Sequence, residues 1–367
     1  MLKYLLLPFI LSLNNNLYAL DTTMTKWKIE PSLKYDACCF LNILTGDEFY
    51  LKYYQSEYDK FKDKITPKAK DALASLKKKL KDDNGIIISA WLCLHFSAVE
   101  DSTIDDLINT LDNTVKLKTN FSKTPYHGEE SWQTFESVNS ELKTIFNFLT
   151  EIDFENYWKQ NILPRVQDTI KTIKPCLPNY DVIKENERYL GFKLPSDTIT
   201  VYMLYYSQPH GIKITGTRFL TDIAWPFEIL LRTAVHEMMH PPYDYNNDEE
   251  LRNTIKLFNK DGLLMDKVLN HNPSFGYNTL EGLFEEDCVQ SLDQIINEKF
   301  GIKRDAKKRW KENDDGIHVL AVALYQIMKE QNYNQKNEKF RDFLIRIVNE
   351  GILQPGKIKD YYDKFYN

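Results

Sequence analysis

The chain contains 367 residues, 43% of them hydrophobic and 27% charged, and its formal net charge is −6 at pH 7. This length suffices for two domains or one large one, and the negative charge makes nucleic acid a poor partner. After the N-terminal region, no segment reaches the roughly 18 consecutive apolar residues that a transmembrane helix needs.

The N-terminal residues have the pattern of a secretory signal. Lys3 is followed by an apolar run over residues 4–13, by three asparagines and by Leu-Tyr-Ala ending at Ala19. This pattern predicts a signal peptide over residues 1–19 and an exported protein, periplasmic or secreted. The alternative is a buried N-terminal helix.

Five cysteines leave at least one thiol unpaired. Cys288 is expected to be a buried free thiol. The other four could form disulfides after export, in a pairing that the sequence does not determine; they are Cys38, Cys39, Cys93 and Cys176.

Apolar residues recur at helical spacing from Thr66 to about Leu190, with a break at residues 174–178 where two prolines occur. Thr66 followed by Pro67 predicts a helix start. The first half of the chain is therefore expected to be helical.

Residues 198–206 and 212–220 are rich in β-branched and aromatic side chains and are separated by a turn at 207–211. They predict two strands. The strands could bind extended peptide along a sheet edge, or they could form a purely structural hairpin.

Residues 234–240 read Ala-Val-His-Glu-Met-Met-His. On a helix, His236 and His240 share one face, so both imidazoles can bind one ion, and Glu237 can take a proton from a metal-bound water. The prolines at 241 and 242 are expected to end the helix. The alternative is an amphipathic helix with two incidental histidines.

A catalytic zinc needs a third protein ligand. Tyr243 and Asn246 stand where a metzincin has glycine and a third histidine, which excludes that group. A second helix, predicted from Asn278 to Phe300 and ended by Gly301, offers glutamates instead.

On a helical wheel, Glu281 lies on the stripe formed by Glu285 and four apolar residues, whereas Glu286 points about 140° away, toward solvent. Glu281 is therefore the predicted third ligand. Alternatively, Glu281 reaches back to a helix cap at Asn278. Glu285 is then either a carboxylate that orients a zinc-binding histidine or, with a shifted register, the ligand itself.

Together, His-Glu-Met-Met-His and the segment Leu-Glu-Gly-Leu-Phe-Glu at 280–285 resemble the zinc motifs of gluzincin metallopeptidases. The resemblance implies a zinc ion bound by His236, His240 and Glu281, with Glu237 as the general base. The Gly-x-Met-Glu-Asn segment of the aminopeptidase branch does not occur.

Peptide hydrolysis also needs a hydrogen-bond donor for the oxyanion. His318, in the segment Asp-Asp-Gly-Ile-His, resembles the thermolysin-like donor histidine, although it could be an ordinary helix residue. Four further residues between the zinc motifs could reach the site, and the sequence does not rank them; they are Tyr243, Tyr245, His271 and Tyr277.

These features predict a predominantly helical α+β protein: a signal peptide at 1–19, a helical domain at 20–193 and a zincin-like domain at 194–367 with a small sheet beside the first zinc helix. The expected function is that of an exported zinc metallopeptidase acting on peptides or proteins. The alternative is an exported zinc-containing binding or structural protein without catalytic activity.

Overall fold

The computed structural model describes residues 24–302, 304–333 and 338–367. The predicted signal peptide at 1–19 lies outside the described residues. The fold is a predominantly helical α+β fold, as expected, with one small mixed sheet.

The sheet contains four strands in the order β1-β2-β4-β3, with bounds β1 Lys26–Pro31, β2 Thr198–Leu204, β3 Ile212–Ile214 and β4 Arg218–Asp222. β2 pairs in parallel with both β1 and β4, and β3 pairs antiparallel with β4. Residues 212–220 do not form one strand, because the chain turns at Gly216 (φ +70°) between β3 and β4. They also do not form a hairpin with β2, since β4 pairs with β2 in parallel. β1 comes from the first half of the chain, so that half contributes an edge strand to the sheet.

The segment between β1 and β2 is helical, as predicted, and Thr66 caps α3 through its side chain. The helices are α1 Leu33–Leu44, α2 Glu48–Phe61, α3 Pro67–Lys77, α4 Ile88–Phe96, α5 Ile104–Asp112, α6 Val115–Phe121, α7 Glu129–Ser137, α8 Asn139–Glu151, α9 Phe154–Tyr157, α10 Leu163–Ile173 and α11 Val182–Leu190.

Helices resume after β4. They are α12 Phe227–Glu237, α13 Glu249–Lys256, α14 Gly262–Asn270, α15 Leu280–Lys299, α16 Ala306–Glu312, α17 Val319–Glu330, α18 Phe340–Asn349 and α19 Lys357–Tyr366. α12 packs against β4, α11 and α15, and α15 also packs against α17. α12 and α15 are the two helices expected to carry the metal ligands.

One continuous cluster of buried apolar residues extends from Leu33 in α1 to Ile358 in α19. The two halves of the chain therefore share a hydrophobic core. Among the described residues, no helix combines the length and apolar character needed to cross a membrane.

All five cysteines are free thiols in the structure, and only Cys176 is exposed. Cys288 is a buried free thiol, as predicted. The expectation of disulfides among the other four is wrong for this structure: Cys38, Cys39 and Cys93 are instead packed as thiols within the apolar core.

Candidate metal centre

The two histidines of the His-Glu-Met-Met-His motif come together at the end of α12. The helix ends at Glu237, and the N–H of Met239 then donates to the carbonyl of His236 in a tighter turn. His240 therefore lies just beyond the helix, which corrects the expectation that both histidines occupy one helical face. The turn still brings the two Nε2 atoms to 3.3 Å from each other.

A carboxylate from α15 completes this group. The Glu286 oxygens lie 3.6 Å from Nε2 of His236 and 3.5 Å from Nε2 of His240. One donor atom from each of these three residues lies within 4.8 Å of the other two, so the group could hold a metal ion. Glu286 is only 6% exposed, and its Oε1 accepts a hydrogen bond from Gln290 at 2.9 Å.

The expectation that Glu281 faces the histidines and Glu286 faces solvent is wrong. Glu281 lies in the first turn of α15, where its carboxylate accepts a hydrogen bond from the Tyr245 hydroxyl at 3.1 Å. Its predicted cap was also misassigned by one residue, since Thr279 rather than Asn278 accepts from the N–H of Gly282.

The wheel argument failed because α15 is buried on nearly all sides. Its apolar residues cover about one half of the circumference, and the other half carries buried polar residues that include Glu286, Gln290, Asp293 and Asn297 at helical spacing. The polar half faces His236 and His240 through Glu286 and Asp293. This row of polar residues at helical spacing was the sequence signal for the side that faces the histidines.

Each histidine is held from behind by a carboxylate. Nδ1 of His236 lies 2.8 Å from Oδ2 of Asp293, which also accepts from Nη2 of Arg309 at 2.8 Å. Nδ1 of His240 lies 3.2 Å from Oε1 of Glu285, matching the orienting contact expected for that glutamate.

These contacts shift the pKa values of the residues in the group. Burial alone would lower the pKa of His240, but hydrogen bonds and charges from Glu285 and Glu286 raise the pKa to about 10. Burial would raise the pKa of Glu286, and the charges of the two histidines instead hold the pKa below its usual range. Where no metal is bound, Glu285 and Glu286 therefore favour a proton on His240.

Glu237 is 7% exposed and lines a cleft of about 660 Å³ together with His236 and Tyr277. Gly211, in the segment before β3, comes very close to this part of α12. A Cβ at position 211 would lie 2.4 Å from Cγ2 of Thr233 and 3.2 Å from Oε1 of Glu237. Glycine at this position therefore lets the segment pack directly over Glu237.

His318 does not reach the cleft, which corrects its predicted position. It is completely buried, with Nδ1 2.7 Å from Oδ1 of Asp287 and Nε2 3.0 Å from Oδ2 of Asp314. Burial opposes protonation, but the hydrogen bonds that His318 donates to these two carboxylates raise the pKa of its imidazole to about 9. Its contact with the site is indirect, through Asp314, which does line the cleft.

Of the four further residues that the sequence could not rank, Tyr277 is the one that lines the cleft with the metal group. Burial raises the pKa of its phenol well above 10, and the charges of Glu286, Asp314 and Glu237 add to this shift. The phenol therefore keeps its proton and can donate. Tyr245 contacts Glu281, and Nδ1 of His271 faces backbone carbonyls of its own helix.

No protein-family model, curated protein or solved structure matches this chain. The interpretation of the centre therefore depends on its own chemistry.

Proposed function

We propose that the protein is a zinc metallopeptidase in which His236, His240 and Glu286 hold the metal and Glu237 is the general base. The observation that carries this proposal is the convergence of two imidazoles and a buried carboxylate beside a cleft lined by Glu237. Export, inferred from residues 1–19, remains a proposal from sequence alone.

The donor spacing supports zinc as the metal. Two ligands of a tetrahedral zinc, each about 2.0–2.1 Å from the ion, lie about 3.3 Å from each other. The two Nε2 atoms are 3.3 Å apart, and each lies 3.5 or 3.6 Å from a different oxygen of Glu286, so the carboxylate could bind through either oxygen. Two neutral imidazoles and one carboxylate are also a common ligand set for catalytic zinc.

The orientation of the histidines supports a cation between them. Ionised carboxylates only accept hydrogen bonds, so the Nδ1 atoms that face Asp293 and Glu285 act as donors. This leaves the two Nε2 atoms, 3.3 Å apart, as the nitrogens that would bind a metal ion. The ion would replace the proton that Glu285 and Glu286 favour on His240.

A zinc ion in this centre would polarise the peptide carbonyl and lower the pKa of the attacking water. Glu237 would take the proton of that water and deliver it to the leaving amine. Tyr277 would donate a hydrogen bond to the oxyanion. Farther along the cleft, Phe49 and Phe275 supply apolar surface for a substrate side chain.

Metal content tests the centre. Purified protein is expected to bind about one zinc per chain, and His236→Ala is expected to lose it. His271→Ala is the matched control, because His271 lies outside the three-residue group. Full zinc content in His236→Ala would refute the site.

Peptidase activity tests the reaction. A mixed peptide library incubated with the zinc-loaded protein should be cleaved, and Glu237→Gln should abolish cleavage while retaining zinc. Zinc binding without cleavage in the unaltered protein, together with a Glu237→Gln variant indistinguishable from it, would favour the non-catalytic binding protein instead.

A further inference from the structure

A second, smaller cavity of about 240 Å³ adjoins the metal centre and is notable for its arginines. His236, Glu237 and Glu286 line it together with Arg232, Arg304 and Arg309. Arg232 lies one helical turn before His236 on α12, so the two side chains share a face of that helix.

Arg309 is held by an ion pair, but one of its hydrogen-bond donors has no partner among the described residues. It is 5% exposed, and its two terminal nitrogens bind Asp293. Its Nε is buried, and no hydrogen-bond partner for it occurs among the residues that the structure describes. A buried donor without a partner is unusual in a folded protein, and here it belongs to a residue that lines the cavity.

Arg232 and Arg304 are half-buried, and neither guanidinium has a hydrogen bond or ion pair within residues 24–302, 304–333 and 338–367. Burial lowers the pKa of Arg304 to about 10. The positive charges of Arg309 and Arg232 lower it further, and the negative charge of Asp293 opposes this shift only in part. Burial also lowers the pKa of Arg232, followed by the charge of Arg309. The guanidiniums are thus half-buried cations that lie close to one another.

Three of the four carboxylates that line this cavity are paired with other groups, and the fourth is Glu237. Asp293 is held by Arg309 and His236, Glu286 by the histidines, and Asp314 by His318. Glu237 also lines the main cleft. The two remaining guanidiniums therefore have no anion of the protein bound to them in the described residues, while Trp225 and Ile229 complete the wall.

We propose that Arg232 and Arg304, with Nε of Arg309, form a subsite that binds a carboxylate of the peptide substrate beside the cleaved bond. This inference rests on the proposed peptidase function and names its substrate class. The planar fork of a guanidinium matches a carboxylate in bidentate geometry. The carboxylate comes either from the C-terminus of the peptide or from an acidic side chain, since both present the same group.

Paired peptide probes test the subsite. The first pair is acetyl-Ala-Ala-Ala as the free acid and as the amide; the second is acetyl-Ala-Glu-Ala-amide and its Gln counterpart. Their affinities would be measured by calorimetry on zinc-loaded Glu237→Gln protein, in which turnover is blocked. We expect the charged member of one pair to bind at least about tenfold more tightly than its neutral partner, as is typical of hydrogen bonds to charged groups.

Variants on the same Glu237→Gln background assign that preference to the arginines. Arg232→Gln with Arg304→Gln should remove the preference, whereas Arg188→Gln, a half-exposed arginine on α11, should leave it intact. Arg304→Lys keeps the charge without the fork and should retain part of it. Circular dichroism would verify that each variant is folded.

The outcomes separate the two proposals. A preference within the first pair identifies a C-terminal carboxylate, and one within the second identifies an acidic side chain. Equal affinities within both pairs would overturn the subsite. A preference that survives in the double variant would also overturn it, because the carboxylate would then be bound by the metal and not by these arginines. If both members of each pair are cleaved equally, the peptidase function is supported and the subsite is refuted. If the protein cleaves no peptide but binds carboxylates through these arginines, the subsite is supported and the peptidase function is refuted.

Discussion

Oδ2 of Asp293 lies 2.8 Å from Nδ1 of His236 and 2.8 Å from Nη2 of Arg309, so one carboxylate oxygen connects a candidate metal ligand to a buried arginine. Charges and hydrogen bonds from these two partners hold the pKa of Asp293 below its ordinary value of 3.8, against the effect of burial. Asp293 is therefore ionised at neutral pH and orients the histidine.

Asp293→Asn is expected to weaken zinc binding by about 10- to 100-fold, as is typical when the hydrogen-bond partner of a metal ligand is lost. It should also destabilise the fold, because the buried Arg309 loses its counter-ion. A folded-state pKa below the unfolded value means that this stability is complete above about pH 4 and is lost as the pH falls further. Zinc titration and urea unfolding at several pH values measure both effects. Asp168→Asn, on an exposed ion pair, is the control, and an unchanged zinc affinity in Asp293→Asn would contradict the orienting role.

Glu286→Ala and Glu281→Ala should differ sharply in metal content. Glu286→Ala removes the carboxylate that faces both imidazoles and should leave the purified protein nearly free of zinc. Glu281→Ala removes only a partner of Tyr245, so it should retain zinc. Elemental analysis of the two variants in parallel checks this. A zinc-free Glu281→Ala beside a zinc-loaded Glu286→Ala would reverse the assignment of the third ligand.

The sequence was sufficient to identify the two histidines of this centre but not the carboxylate that joins them. The spacing of His236 and His240 identified both imidazoles even though the helix ends before His240, because a tight turn also brings such residues together. The third ligand depended on which face of α15 meets α12, and this is a tertiary property. The local apolar pattern favoured the stripe near Glu281, whereas in the structure the buried polar face of α15 is the one that meets both histidines.

The same limit applies to the sheet and the arginine subsite. Strand-forming residues were recognised at 198–206 and 212–220, but no local signal indicated that β1, far away in the chain, pairs in parallel with β2. Arg232 and Arg304 each look like ordinary helix or loop cations in the sequence. Only the packing of α12 against α15 brings them together beside His236.

Gly211→Ala should perturb the base without touching the metal ligands. The new methyl group would lie 2.4 Å from Cγ2 of Thr233, which forces the segment before β3 or the helix to shift. Overpacking of this kind costs about 1–3 kcal/mol. We expect a lower melting temperature and lower activity with unchanged zinc content. Thr233→Ser removes the clashing methyl group but keeps the hydroxyl, so the double variant should recover part of both losses; no recovery would mean that the clash is not the cause.

Tyr277→Phe tests the oxyanion donor. Its phenol lines the cleft beside His236 and Glu237, and its pKa lies well above 10, so the proton is present throughout the working pH range. Removing one such donor typically lowers kcat by about 100- to 1,000-fold. Zinc content and KM should change little, since the hydrogen bond forms chiefly in the transition state. Tyr245→Phe is the matched control, because it removes a hydroxyl that contacts Glu281 instead. An unaltered kcat in Tyr277→Phe would mean that another group donates to the oxyanion. His318 is buried behind Asp314, so the arginines that line the second cavity would be the next donors to test.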